Sequence, residues 1–215
     1  MSDDLERRCL SAIRIAGLLD TDELVLRTGA RRADLEALLA ELLAAALVVY
    51  RSGRLAGWQL SVDGRSRSEA LLRDEVDGAG VRTRLESAFD RFDPLNTEFL
   101  ALCRSWQLRD GPDGEVPNDH LDPAHDHWVV GRLERFHDSA VPLVEELGGA
   151  LPRFVSYARL FGRALLRVQT GETAWFTSPT TSSYHTVWFE LHEDLLATLG
   201  RRRTSKDDEQ RPPKR

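Results

Sequence analysis

Cysteine, lysine and long apolar runs are scarce in this chain. Two cysteines occur in 215 residues, Cys9 and Cys103, both at apolar positions of helical patterns and neither in a CxxC pair. They read as reduced core thiols, which argues against a disulfide framework or a cysteine-ligated zinc. No apolar run approaches the roughly 18 residues of a membrane span, and no charged start followed by a hydrophobic stretch marks a secretory signal, so a cytoplasmic protein is expected. The sequence also lacks GxGxxG, GxxxxGK[ST] and GxSxG. His192-Glu193 opens like a zinc-protease HExxH, but Leu196 stands where the second histidine must be. A non-enzyme is expected, because a histidine-based catalytic site at His120, His185 or His192 has no identified nucleophile or acid partner. Two lysines against twenty-seven arginines reflect a GC-rich coding bias and carry no chemical meaning.

What is present begins with a stripe. Leu5, Cys9, Ala12, Ile13 and Ala16 recur at helical spacing and predict an amphipathic helix. Asp20 and Thr21 offer N-cap oxygens to a short helix through Val25 and Leu26, stopped by Gly29. A third helix is predicted from Arg32 to Leu47, burying Leu35, Leu38, Leu39, Leu42 and Ala46. Val48, Val49 and Tyr50 then run into Arg51-Ser52-Gly53-Arg54, and Trp58, Leu60 and Val62 return at period two, the pattern of a hairpin. Three helices and a hairpin in this order predict a winged helix-turn-helix over residues 1–67, in a mainly α protein completed by an all-α bundle.

The stretch LEALLAELLAAALVVYRSGRLAGWQLSVDGR resembles MarR-like winged-helix transcriptional regulators. That family shows a leucine-rich helix, a Gly-Leu-Val exit, a wing, and a strand closing on a Gly-Arg motif; here Ala46 takes the place of the exit glycine. The resemblance implies double-stranded DNA as partner, with the third helix in the major groove and the wing along the backbone or minor groove. It also implies a homodimer on two half-sites, for which the predicted helices at 66–108, carrying Leu71, Leu72, Leu85, Phe89 and Phe99, are the expected interface.

Arg31, Arg32, Arg51 and Arg54 form the expected DNA footprint. Beyond them the third helix offers Ala33, Ala37, Ala40, Glu41 and Ala44, so base readout would be sparse. Residues 1–68 hold ten basic and ten acidic side chains, residues 69–200 hold twelve arginines against twenty-two carboxylates, and residues 201–215 are basic. A winged helix docking on a protein partner or a metabolic enzyme is therefore the alternative reading. The charged, proline-containing tail 201–215 has too little apolar surface to fold and is expected to be disordered.

Residues 68–108 read as a helical connector. Helices are predicted over Ser66–Val76 and Val81–Phe92, and Asp93-Pro94 reads as the start of the next. A Gly-, Pro- and Asp-rich loop is expected at 110–122, and Asp122-Pro123 should open a long helix that Pro142 kinks or interrupts. Pro152 starts another helix, and Ser183 to Leu199 form the last, closed by Gly200.

All six histidines lie between His120 and His192. Asp119, His120 and Asp126 mix imidazole and carboxylate in a pattern suited to a divalent metal such as zinc, manganese or nickel; the mixture loosely resembles the metal-dependent effector domains of helical GntR regulators. His185 and His192, seven apart with Phe189 between, are expected to face the helix bearing Tyr157 and Phe161. Together with Ser182 and Ser183 they form the expected pocket for a small-molecule effector within an effector-binding domain at 109–200. The plainer reading is preferred for both clusters: Asp119 and Asp122 as loop and capping residues, Ser182 or Ser183 as an N-cap, and His185 and His192 as hydrogen-bonded core groups. The segment SSYHTVWFELHEDLLATLG resembles one found in actinobacterial proteins, some near or fused to enzymes that use phosphoenolpyruvate.

Overall fold

A computed structural model describes residues 2–53, 55–112 and 114–201. The chain opens with α1 (Ser2–Ala16), α2 (Thr21–Thr28), α3 (Arg32–Ala44), and the antiparallel strands β1 (Val48–Arg51) and β2 (Gly57–Leu60). Of the predicted stripe of α1, Cys9 and Ile13 are inaccessible to solvent and Leu5, Ala12 and Ala16 pack partly buried on the same core, which Leu10, outside the stripe, also enters. The Asp20 carboxylate accepts the Glu23 N–H at 2.8 Å and Gly29 ends α2 in the left-handed conformation. Leu19 exchanges two backbone hydrogen bonds with Trp58, so the segment between α1 and α2 lies beside the hairpin as a third, one-residue strand. Cys9, Ile13, Leu24, Leu35, Leu39 and Val48 meet in one core.

The exit from α3 is strained at one residue. The helix ends at Ala44, three residues before the predicted Leu47, and Ala46 adopts φ 57°, a left-handed conformation that favours glycine. The Leu47 carbonyl just beyond accepts from both the backbone N–H and the hydroxyl of Ser61, at 3.0 and 3.1 Å. A Cβ on Gly64 would lie 1.8 Å from that oxygen, so the glycine of the Gly-Arg motif is required by close backbone approach.

Helix α4 (Val62–Ala79) starts earlier than predicted, because Ser61 caps it by accepting the Gly64 N–H. Then come α5 (Arg82–Gln107), β3 (Leu108–Gly111), β4 (Gly114–Pro117), α6 (Pro123–Ala150), a 3-10 turn (Pro152–Phe154), α7 (Val155–Gln169), α8 (Ala174–Thr177) and α9 (Tyr184–Leu199). Three expectations need correction. Asp93 caps nothing, since α5 runs unbroken through Pro94, and Pro142 does not interrupt α6. Both prolines are exposed, as are Asp90 and Asp138 four residues before them. Each carbonyl that loses its donor is therefore on a solvent-facing side, while Phe92, Phe99, Leu143 and Leu147 keep the helices packed. The loop at 110–122 contains a short antiparallel hairpin, β3–β4, so the second half is not purely helical.

Helices α5, α6, α7 and α9 share a second core. Helix α9 is buried on nearly every side and touches α1, α4, α5, α7 and α8. Trp188 anchors it, stacked on Phe92 at 4.6 Å, edge-on to Phe136 at 5.0 Å, and donating to Asn96 at 2.9 Å. Leu71, Leu72, Leu85 and Phe99 are buried within the single chain, and Phe89 is partly buried against the second core. They are not a free dimer face, and α5 is part of the bundle rather than a connector.

Replacing Ala46 with Gly should relieve the left-handed strain and stabilise the fold by about 1 kcal/mol. Gly64→Ala should destabilise it by more, because the opposing atom is backbone. Urea unfolding of both variants beside the parent checks the opposite signs.

Candidate functional site

Within the expected DNA footprint, Arg31 and Arg32 are solvent-facing and already ion-paired. Arg31 binds Asp34 through two hydrogen bonds of 2.8 Å, and Arg32 pairs with Asp22 and with Glu36. These hydrogen bonds, and then the carboxylate charges, hold both guanidinium pKa values above the ordinary arginine value. Arg51 is exposed at the end of β1, and Arg54 lies outside the described residues. Ala33, Ala37, Ala40, Glu41 and Ala44 are exposed along α3, as the helical pattern predicts. Leu43, Val49 and Tyr50 are also exposed, at 47%, 45% and 52%.

The face of this module away from α3 is docked on the bundle through buried charges. Arg27 of α2 forms a two-pronged pair with Glu190 of α9 at 2.5 and 3.2 Å, each side chain 6% exposed. Arg153, in the 3-10 turn, binds Glu75 of α4 at 2.7 Å and also Asp194 and Thr198 of α9. Arg7 of α1 completes the chain of charges with Glu75 at 3.0 Å. Burial opposes the charge on Arg27 and on Arg153, but the facing carboxylates outweigh it and leave both pKa values raised. Tyr157 donates to the Glu190 carbonyl at 3.2 Å and the Asp194 carboxylate at 3.1 Å. Burial first, then those two carboxylates, push its pKa well up, so it stays a neutral donor. A water-sized cavity of about 20 Å³ lies within this seam, lined by Arg8, Ser11, Arg27, Arg153, Tyr157 and Asp194.

Of the groups in this seam, the sequence singles out Tyr157 and none of the charged residues. A signal was present: Glu190 and Asp194 are four apart and lie on the same helical face as the apolar Val187 and Leu191. Carboxylates in a buried stripe require cationic partners.

The expected effector pocket does not assemble. Tyr157 faces Glu190 and Asp194, and Phe161 packs on Tyr184 at 4.8 Å. His185 and His192 project from the opposite side of α9 toward α5, His185 near Phe99 at 6.1 Å and His192 against Phe92 at 5.1 Å. Helical geometry explains this, since positions 185 and 192 are about half a turn of azimuth from 190 and 194. Phe189 is partly buried. Ser183 is the buried N-cap of α9, accepting the Thr186 N–H at 3.2 Å, and Ser182 donates to Glu23 at 3.3 Å. The expected metal trio separates as well. His120 Nδ1 lies 3.0 Å from Asp126, whose other oxygen accepts from Asn118, whereas Asp119 turns to Arg109 and the Leu121 N–H. Among the described residues no three His, Cys, Asp or Glu side chains converge as a metal-ligand set. The two cysteines are free and buried, and burial pushes Cys9 up to about 12, with Glu6 adding to it.

No family model, curated protein or solved structure matches the chain. No described helix is long and apolar enough to cross a membrane.

Breaking one buried pair leaves its partner charged and unpaired. Arg27→Met should destabilise the protein by about 3–5 kcal/mol, and adding Glu190→Met should restore much of the loss. Chemical denaturation across the four-member cycle measures the coupling.

His137 and His185 are both held below the ordinary imidazole value of about 6.5, chiefly by burial. His185 Nδ1 is buried and has no partner among the described residues. The unfolded chain therefore binds these protons more readily than the folded one. The stability they contribute is complete above about pH 6.5 and is lost as pH falls toward their folded-state values. A Tm series from pH 7.5 to 5 should fall, and His185→Phe should shallow the fall.

Proposed function

We propose that the protein is a DNA-binding transcriptional regulator of the winged-helix kind, with α3 as the reading helix, β1–β2 as the wing, and the helical bundle as the part that senses a small ligand. One observation carries this reading. The seam with the bundle engages α1, α2 and α4, whereas α3 makes its substantial contacts only with α2 and β1 and turns its outer face to solvent. Arg31 and Arg32 stand at its N-terminal end, where a groove-binding helix makes its contacts. Their carboxylate partners are on exposed residues or near the surface, so phosphates can replace them. Binding should be dominated by phosphate contacts, because the alanines of α3 offer almost no groups for base edges. A homodimer fits this reading, with an interface outside the buried residues of α4 and α5.

The exposed Leu43, Val49 and Tyr50 beside Glu36 and Glu41 favour a second reading, in which the same face docks on a protein. Replacing Arg31 and Arg32 by Ala separates the two. On the DNA reading, affinity for duplexes of unrelated sequence falls by a shared factor and the slope of log K against log salt flattens by about 0.9 per lost phosphate contact. Unchanged mobility-shift titrations across salt would sink the DNA reading and leave the docking surface.

A further inference from the structure

A second cavity, of about 200 Å³, opens where the end of α1, the start of α4 and the end of α9 meet. Three arginines line it: Arg14 from α1, Arg65 from α4 and Arg201 just past α9, with Glu193 on one wall and Leu196 and Ala197 at its apolar side. Three guanidiniums lining a cavity with one carboxylate reverse the balance of the chain, in which carboxylates outnumber basic side chains by 35 to 29. Like charges gathered around a cavity repel unless an anion joins them.

The donors are not used up by the protein. Arg14 reaches Glu69 with one terminal nitrogen at 3.3 Å, and its Nε is buried with no partner among the described residues. Arg65 makes no ion pair among the described residues. Arg201 lies over the Phe89 ring at 4.8 Å and makes no ion pair among the described residues. Arginine stays charged at any working pH and presents a fork that matches phosphate oxygens in pairs. The volume, below the range of drug-sized pockets, suits a compact anion.

We propose that this cavity binds a small phosphorylated metabolite, its phosphoryl group held by Arg14, Arg65 and Arg201 and its short carbon body against Leu196 and Ala197. The walls belong to different cores: α1 packs in the N-terminal core, whereas α9 is the centre of the bundle. An anion bridging Arg14 and Arg65 to Arg201 therefore favours one arrangement of module and bundle, and by linkage alters DNA affinity. This regulatory step rests on the DNA-binding reading, whereas anion binding does not.

Pyrophosphate and inorganic phosphate, titrated into the full-length protein by calorimetry and by thermal unfolding at constant ionic strength, test the site. Saturable binding with a raised Tm is expected. Arg65→Gln and Arg201→Gln should each weaken it by about tenfold or more, while Arg104→Gln, on the outer side of α5, should leave it unchanged. Equal stabilisation by chloride at matched ionic strength, tighter binding of citrate than of pyrophosphate, or full binding by the Arg65→Gln/Arg201→Gln variant overturns the proposal. A protein that binds pyrophosphate but no DNA keeps the anion site and loses the regulator reading; one that binds DNA but no pyrophosphate does the reverse.

Discussion

Two carboxylates inside the central helix impose the arrangement of everything around them. Glu190 and Asp194 lie on a helix buried on nearly all sides, where an unpaired charge has several kcal/mol of lost hydration to recover. Arg27 comes from the N-terminal module, and Arg153 ties the 3-10 turn to both α9 and α4. The pairs thus specify orientation more than stability, because an apolar seam would tolerate sliding and these forked, directional bonds do not. Apolar burial supplies the two cores on either side, and the charges determine how they meet.

This division also explains why α3 is left uncovered. The module uses α1, α2 and α4 to meet the bundle, and its hairpin is braced from behind by the Leu19 bridge to Trp58. Trp58 also donates to the Thr21 hydroxyl at 3.2 Å, joining the hairpin to the start of α2. Helix α3 and the β1–β2 hairpin are thereby held on one support while their outer surfaces stay exposed to solvent.

Local chemistry was readable wherever it decided the structure. The stripe of α1, the caps at Asp20, Ser183 and Gly200, and the hairpin at 48–60 all follow from neighbours within a few residues. Pro94 and Pro142 misled because a helix-breaking residue was weighed without the packing of Phe92, Phe99, Leu143 and Leu147, which outweighs it. The β3–β4 hairpin was hidden by its composition, with Val116 its one β-branched residue. The seam was hidden by distance, since Arg27 and Glu190 are 163 residues apart and nothing local to Arg27 marks it as buried. The pocket drawn from His185 and His192 failed for a geometric reason. A histidine spacing identifies a face of a helix, but not which neighbour that face meets.

Helix α4 has a mechanical consequence. Leu71 packs in the first core and Val76 in the second, with uninterrupted helix between them. Five residues along an α-helix turn the side-chain direction by about 140°, so the same rod is gripped from two sides by two different bodies. Such a shaft has no elbow. Reorienting the module against the bundle means rolling or sliding α4 in one of its sockets, a shear of packed ridges by an ångström or two rather than the swing of a tethered head. Motion of that size at the shaft moves α3 further, in proportion to its distance from the axis, and converts a small change at the seam into a change of pitch at α3.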